Sequence, residues 1–230
     1  MPLTEQTRVV KRLKTPRAAG IAGILFALLM GTTIILIRNS TALNLTEAGR
    51  WLVDGGRRTS VTIAVNLIPF AGIAFLWFIG VMRDRLGEQE DRFFATVFLG
   101  SGLLFVAMLF VTAAIALGLF AHFHAAPHKA AQSEIWTFGS QITLAMLNIF
   151  AARMAAVFMI STSTIALRTS FVNRWLAYLG FAIALVLLVA SGRVAYIYLL
   201  FPLWILLVSI DALIRSLSGG REQPATAQEG

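Results

Sequence analysis

Ten consecutive residues, Arg83-Asp84-Arg85-Leu86-Gly87-Glu88-Gln89-Glu90-Asp91-Arg92, carry seven ionised side chains and form the densest cluster of charge in the chain. Segments 61–82 and 93–120 flank this cluster, and each is apolar and long enough to cross a bilayer. Ionised side chains are costly inside a membrane and stay in water. We therefore predict that the cluster, here named the charged hinge, is an aqueous loop that joins two membrane helices.

The composition of the chain indicates a polytopic membrane protein. Hydrophobic residues make up 58% of the 230 residues, charged residues make up only 13%, and the mean hydropathy is +0.79. Because one crossing takes about 20 residues, the chain has room for about five to seven helices and for no sizeable soluble domain. The absence of cysteine excludes disulfides, zinc–thiolate sites and iron–sulfur clusters.

We predict an all-α fold, a polytopic transmembrane bundle of six membrane-spanning helices with an additional short interfacial helix between the first two. A basic cytoplasmic segment, 1–17, precedes the bundle, and a disordered cytoplasmic tail, 216–230, follows it. The bundle itself covers 18–215. Its approximate spans are 18–37, 61–82, 93–120, 137–160, 175–190 and 194–211.

The distribution of positive charge predicts the orientation of the bundle. With six crossings, 12 of the 19 lysines and arginines fall on the side of the amino terminus and the charged hinge, and 6 fall on the other side. This bias predicts that both termini lie in the cytoplasm, at a bacterial inner (plasma) membrane whose anionic lipids attract the excess charge. The net charge of +8 comes without a recognition module, so nucleic-acid binding is not indicated. Trp77, Trp136 and Trp175 fall near predicted interfaces, as an aromatic belt requires.

Arg153 is the strongest single candidate for a functional residue, because it lies in the middle of the fourth apolar run. An unpaired guanidinium at membrane depth costs about 2.5–3.5 kcal/mol or more, so its side chain should face a partner or a water-filled cavity. Gln141 and Asn148 are polar residues on the same predicted helix. Two structural alternatives stay open: Arg153 reaches the headgroups near the polar segment 161–164, or it pairs with Asp211 from across the bundle.

The second span contains Pro69, which removes a main-chain donor and clashes with the carbonyl four residues earlier, so we predict a kink in this helix. Asn66 lies one turn away from the proline. Broken helices with polar side chains build substrate sites in transporters. Asn66 therefore joins Gln141, Asn148 and Arg153 in a transport hypothesis, in which these side chains line a path for a small solute.

All three histidines fall in one predicted outer loop, at His122, His124 and His128. They are weak candidates for a transition-metal site, since their spacing, with Pro127 inside it, matches no standard zinc arrangement. We predict a solvated loop, no bound metal and no cofactor. No histidine lies within a later apolar run to activate Ser101, so the sequence predicts no catalytic set.

Three runs lie in and around the charged hinge: Phe75-Leu76-Trp77-Phe78-Ile79-Gly80, Arg83-Asp84-Arg85-Leu86-Gly87 and Glu90-Asp91-Arg92-Phe93-Phe94-Ala95-Thr96-Val97-Phe98. Together they resemble a group of uncharacterised bacterial integral membrane proteins, and the resemblance is sharpest over about 57–114. The resemblance implies a bacterial multi-pass membrane protein. It carries over neither an activity nor a functional residue.

Three functions compete. The leading hypothesis is a non-enzymatic structural, regulatory or accessory membrane component of unknown molecular activity, since the apolar runs contain few polar groups and no paired acids. The first alternative is a small-solute transporter or channel with a polar path near Arg153. The second is a membrane-surface enzyme or metal-binding protein that uses the histidine loop. The charged hinge offers a docking surface for a protein partner, and a homo-oligomer is compatible with all three.

Overall fold

The computed structural model of the protein describes residues 16–40, 50–86, 92–169, 172–190 and 196–218, and within these ranges it contains helices and no strand. The predicted all-α fold is confirmed. Short 3₁₀ segments at Pro127–Gln132 and Ile197–Leu199 precede α5 and α8. The α-helices are α1 Pro16–Ser40, α2 Arg50–Val53, α3 Gly55–Leu86, α4 Arg92–Phe123, α5 Glu134–Ala145, α6 Ala152–Thr169, α7 Arg174–Ala190 and α8 Leu200–Ser218.

Five helical segments in the described ranges are long and apolar enough to cross a membrane, as expected of a multi-pass membrane protein. This number is one fewer than the six predicted crossings. The helix that falls short is α7, whose 17 residues extend about 26 Å against a hydrocarbon core of about 30 Å. The five segments are Ala18–Ser40, Gly55–Arg83, Ala95–Phe123, Glu134–Thr169 and Ile197–Arg215.

The fourth predicted span belongs to a much longer helix than expected. α5, a π-helical turn at Met146–Ala151 and α6 continue into one another as a helix of 36 residues, Glu134–Thr169, here named the long helix. At 1.5 Å per residue the long helix extends about 54 Å, so it tilts within or projects beyond a hydrocarbon core of about 30 Å.

The polar residues that follow Ile160 do not end this helix. Ser161, Thr162 and Ser163 are buried inside the bundle, at 2%, 2% and 0% exposed. The Ser161 hydroxyl donates to the main-chain carbonyl of Val157 at 2.8 Å, and Thr162 makes the equivalent bond one residue further on. Because a carbonyl of the same helix accepts from each of these two hydroxyls, Ser161 and Thr162 are tolerated in an apolar interior. The helix continues for nine residues beyond its predicted end.

α3 begins six residues before the predicted span because Asp54 caps it. The Asp54 carboxylate accepts hydrogen bonds from the main-chain N–H groups of Gly56 at 3.0 Å and Arg57 at 3.3 Å. An acidic side chain at this position satisfies the first free donors of a helix and complements the helix dipole. Asp54-Gly55-Gly56 is therefore a helix start, although its glycines are typical of a turn.

A small apolar cluster closes the end of the bundle at which α3 begins. Leu52 of α2, Ala130 of the 3₁₀ segment and Trp136 of the long helix are almost fully buried. The ring of Phe123 meets the ring of Trp136 edge-on, with 5.6 Å between centroids. Trp136 therefore anchors the connecting segments and does not belong to an exposed aromatic belt, in contrast to the prediction. The other two tryptophans predicted for the belt are exposed.

α1 packs against α3 and α8 and runs antiparallel to both. Near the beginning of α1, Gly20 faces Ser209 and Leu213 close to the end of α8, and Gly23 faces Phe78 in the second half of α3. Small residues let helix backbones approach closely, as is common in membrane bundles. The start of α1 and the ends of α3 and α8 therefore lie together, at what we name the hinge end.

Seven phenylalanines form the centre of the bundle, and Phe75 of α3 contacts five of the other six rings. From Phe75 the centroid distances are 4.7 Å to Phe26, 5.0 Å to Phe158, 5.3 Å to Phe105, 5.7 Å to Phe201 and 6.1 Å to Phe78. The seventh ring, that of Phe98, contacts the ring of Phe158, with 4.9 Å between centroids. Tilted and edge-on aromatic pairs add to the stabilisation that burial alone provides. Because the rings come from α1, α3, α4, α6 and α8, the cluster joins five helices.

Several predicted features lie outside the described residues. They are most of the basic segment 1–17, the middle of the charged hinge with Glu88, Glu90 and Asp91, and most of the tail 216–230. α8 continues to Ser218, so the first three residues of the predicted disordered tail are helical. A basic residue in the last turn of α8 complements its dipole and favours this extension.

Replacement of Phe75 by alanine should remove the ring that links α3 to four other helices. Truncation of a buried phenylalanine typically costs about 3–5 kcal/mol, so we expect the purified variant to unfold at a clearly lower temperature in near-ultraviolet circular dichroism. Phe70→Ala on the same helix is the matched control, because Phe70 is 62% exposed. Equal melting temperatures of the two variants would contradict the central role of the cluster.

A methyl group added at Gly23 would collide with the Ser209 hydroxyl and the Phe78 ring, whereas the same group at Gly31 meets open space. Overpacking typically costs about 1–3 kcal/mol, so Gly23→Ala should lower the free energy of unfolding measured in mixed micelles. Gly31→Ala should leave it unchanged or raise it by up to about 1 kcal/mol through helix propensity. If Gly23→Ala were as stable as Gly31→Ala, the close approach of α1 and α8 would be wrong.

Candidate functional site

Arg153 lies on the outer surface of the bundle, on the long helix. Its side chain is exposed, and Nη1 of its guanidinium donates a hydrogen bond to the main-chain carbonyl of Ile149 at 3.2 Å. Among the described residues it forms no salt bridge with a carboxylate. The charge of Arg153 therefore points away from the packed interior.

The π-helical turn at Met146–Ala151 contributes to this orientation. Such a turn contains one residue more than an α-helical turn, so it rotates the positions that follow it. The Ile149 carbonyl that accepts from Arg153 belongs to this turn. Ala151 and Ala152 are 1% and 4% exposed and pack inward. Small side chains thus face the neighbouring helices, and the guanidinium lies outside.

Arg153 also lies near the middle of the long helix. It is 19 residues from the beginning of the long helix and 16 from its end, about 28 Å and 24 Å along the axis. Its neighbour Ala152 lines a small apolar cavity of about 30 Å³ together with Phe105 and Phe201 of the aromatic cluster. Ser161, Thr162 and Ser163 are buried inside the bundle, and the alternative that Arg153 reaches headgroups near 161–164 stays a prediction.

Gln141 and Asn148 accompany Arg153 on the outward side of the long helix. Gln141 is exposed, in a shallow polar recess that Glu134 and Thr137 also line, and Asn148 is half-buried within the π-helical turn. Neither side chain forms a hydrogen bond with another described residue. The long helix therefore presents three polar side chains outside the packed core, one of them charged.

Asn66 does not join this group. It is exposed on α3, where its side-chain amide donates to the main-chain carbonyl of Thr62 at 2.8 Å. α3 packs chiefly against α1 and α4, whereas the long helix packs chiefly against α4 and α7. Asn66, Gln141, Asn148 and Arg153 thus line no common interior path among the described residues, and the transport hypothesis stays a prediction.

Known proteins do not identify the site. Comparisons with protein-family models, with curated proteins and with solved structures give no match. The function is therefore inferred from the geometry alone: an outward guanidinium near the middle of the long helix, two polar side chains on the same helix, and an apolar interior.

Asp211 binds the beginning of α7 and does not pair with Arg153. Its carboxylate accepts hydrogen bonds from the main-chain N–H of Asn173 at 3.1 Å and from the Asn173 side-chain amide at 2.8 Å. Arg215, one turn later on α8, donates Nε to the same carboxylate at 3.0 Å. Asp211 thereby ties the start of α7 to the last turns of α8, at the hinge end.

Pro69 lies inside α3, which continues without interruption on both sides of it. Its ring leaves the carbonyl of Val65 without the usual helical donor. One residue away, the carbonyl of Ala64 accepts a hydrogen bond from the hydroxyl of Thr33 on α1 at 3.3 Å, and Thr33 is buried. A hydroxyl from a neighbouring helix thus supports the main chain where proline weakens it, as is usual in membrane helices.

The charged hinge is described only at its edges. α3 continues to Leu86 and α4 begins at Arg92, so Arg83, Asp84 and Arg85 belong to the last turn of α3. Arg83 is exposed. Positive charge in the last turn of a helix complements its dipole, which accounts for the two arginines here.

The three histidines do not form a metal site with the described residues. His122, His124 and His128 are all exposed, and the ring of His122 packs edge-on against that of Phe123 at 4.7 Å between centroids. In the described ranges, no three histidine, aspartate or glutamate side chains come together as potential metal ligands. The metal-binding hypothesis thus has no geometric support in this part of the chain.

Two structural features escaped the sequence reasoning. The π-helical turn Met146–Ala151 contains neither glycine nor proline, the residues that usually mark a break in a helix, so no signal announces it. The indole N–H of Trp204 donates to the main-chain carbonyl of Leu176 at 2.9 Å and joins α8 to α7. The sequence does indicate such a hydrogen bond, because the indole N–H of a tryptophan in the middle of an apolar span needs an acceptor.

Asp211→Ala should release the start of α7 from α8. The lost hydrogen bonds to a mostly buried carboxylate correspond to about 1–3 kcal/mol, so hydrogen exchange at Asn173 and Leu176 should accelerate markedly in the purified protein. Arg215→Ala is the control, since an exposed i, i+4 pair contributes only about 0.3–0.5 kcal/mol. Equal exchange in the two variants would show that the carboxylate does not hold α7.

Proposed function

We propose that the chain is a non-enzymatic helical bundle that serves as a structural, regulatory or accessory component of a bacterial inner membrane. The observation that carries the proposal is the placement of polar side chains, because Arg153, Gln141 and Asn66 face outward while the core is apolar and aromatic. Transporters and enzymes gather such groups in an interior cleft or pocket. Polar groups on the outside of a membrane bundle are suited to binding other membrane components.

The interior hydroxyl groups support a packing role. Ser101 donates to the carbonyl four residues earlier at 2.6 Å, within its own helix. The hydroxyl oxygens of Ser163 and Ser209 are buried and have no hydrogen-bond partner among the described residues, and each abuts a glycine of a neighbouring helix, Gly180 and Gly23 respectively. Serine is small enough for such close crossings, so these residues act as spacers between helices.

Six crossings and two cytoplasmic termini complete the proposal. α7 begins beside Asp211 at the hinge end, and its Leu187 lines the same cavity as Tyr198 near the start of α8. α7 thus runs past most of the depth of α8, which has the length of a span. A bilayer thins locally around a helix that is a few ångströms short, at modest cost. The excess of lysine and arginine on the side of the hinge end favours a cytoplasmic location for that end.

Single cysteines in this cysteine-free chain test the topology. Gln89→Cys, Ser170→Cys and Gln223→Cys should be labelled by an impermeant maleimide only from the cytoplasmic side of membrane vesicles, and His128→Cys and Ser191→Cys only from the opposite side. The pair at 170 and 191 decides whether α7 crosses. Labelling of both from the same side would contradict six crossings, and Gln223→Cys would then change sides as well.

The accessory function is tested by isolating the full chain from native membranes in lipid nanodiscs. We expect a complex with another membrane protein at fixed stoichiometry, and we expect liposomes that contain the purified chain alone to stay impermeable to small anions. The competing transport hypothesis predicts that the chain has no partner and that it makes liposomes permeable to small anions. A chain without a partner that makes liposomes permeable, with the permeability abolished by Arg153→Ala in a folded protein, would contradict the proposal.

A further inference from the structure

We propose that the outward side of the long helix binds a transmembrane helix of another protein, and that this partner helix carries an aspartate or glutamate at the depth of Arg153. The inference rests on the accessory function proposed above and names the class of partner. The surface concerned is formed by Gln141, Ile149, Phe150 and Arg153, all of them exposed, and is named the Arg153 face.

The depth of Arg153 requires a neutralising group inside the membrane. A long helix centred in the bilayer places Arg153, 19 residues from its beginning and 16 from its end, about 15 Å from either edge of a hydrocarbon core of about 30 Å. An extended arginine side chain reaches only about 7 Å from its Cα, as its bond lengths dictate. A lipid phosphate at its normal depth is therefore out of reach, and the Ile149 carbonyl supplies a hydrogen bond but no countercharge.

Among the described residues, no carboxylate of this chain pairs with Arg153. Of its 11 aspartates and glutamates, Glu134 and Asp211 fall in candidate spans, near the ends of those spans. Glu134 is 19 residues from Arg153 on the long helix, and Asp211 is bound by Asn173 and Arg215. A second copy of the chain related by a two-fold axis through this face would bring guanidinium to guanidinium, which is repulsive. Charge complementarity therefore favours a different protein with an acidic transmembrane helix.

The rest of the face is suited to a helix. Gln141, Ile149 and Arg153 are exposed on the long helix, and Ala145, between the first two, is half-buried. Gln141 and Asn148 bring side-chain amides without hydrogen bonds to other described residues, and such amides bond across helices in membranes. Ala145 between them is small and permits close approach of a second backbone.

Photo-crosslinking in native membranes tests the proposal on the full chain. We expect p-benzoylphenylalanine in place of Phe150 to give one protein adduct, and mass spectrometry of that adduct to locate the cross-link on a transmembrane segment with an aspartate or glutamate. The same probe in place of Phe70 is the matched control, because Phe70 is also exposed but lies on α3, where it should give no such adduct.

Charge variants establish that the guanidinium is responsible. Arg153→Gln should reduce the adduct at least tenfold, which corresponds to about 1.4 kcal/mol, and Arg153→Lys should largely retain it. Arg153→Asp combined with the reverse change at the partner's acidic residue should restore the adduct. Because Arg153 is exposed, the melting temperatures of these variants should match that of the unmodified protein.

Four outcomes would overturn the inference: adducts with lipid only, adducts with a second copy of the chain, a partner segment that lacks a carboxylate, or an adduct insensitive to Arg153→Gln. The same probe in place of Gln89, in the charged hinge, distinguishes failure of the proposed Arg153 face from failure of the proposed accessory function. A protein adduct at Gln89 without one at Phe150 would preserve the accessory function and move its partner site. Absence of protein adducts at both positions would contradict both proposals.

Discussion

Ring packing around Phe75 is the interaction on which the rest of this bundle depends. Lipid tails are as apolar as leucine, so hydrophobic transfer gives helices little reason to leave lipid for one another, and complementary packing must hold them together. Phe75 supplies that packing by contacting rings from four other helices. The remaining parts attach at the periphery: α7 packs chiefly on α6 and is joined to α8 by the Trp204 indole, and the connecting segments attach through Trp136.

The same packing explains why Arg153 lies outside. A core filled by phenylalanine rings and close glycine crossings leaves no room for a guanidinium, and the π-helical turn directs alanines inward at that level. The buried serines and threonines are compatible with this core because most of their hydroxyls bond to carbonyls of their own helices. The described core of the bundle is thus apolar, and the long helix presents a guanidinium on the outside, which fits the proposed role of a component that assembles with others.

The sequence predicts the existence and order of the helices well, because long apolar runs and charged loops are strong signals. The prediction fails where the same residue type is typical of two different local structures. Ser161 and Thr162 resemble a helix end but are satisfied by their own helix, and Asp54 resembles part of a turn but is a cap. The outward direction of Arg153 was not predictable for a more general reason: both sides of a lipid-exposed helix are apolar, so hydrophobic periodicity does not reveal which side is packed.

The Arg153 face is expected to lie at the middle of the membrane and outside the bundle. Spin labels at Ile149→Cys and at the shallower Phe138→Cys, in the purified chain in lipid nanodiscs, measure this through relaxation by oxygen and by an aqueous nickel complex. We expect oxygen to relax the label at 149 strongly, while nickel reaches it much less than the label at 138. Strong relaxation of the label at 149 by nickel would reveal an aqueous path, and protection from both reagents would reveal a packed interior; either result would contradict an outward, lipid-facing position of this face.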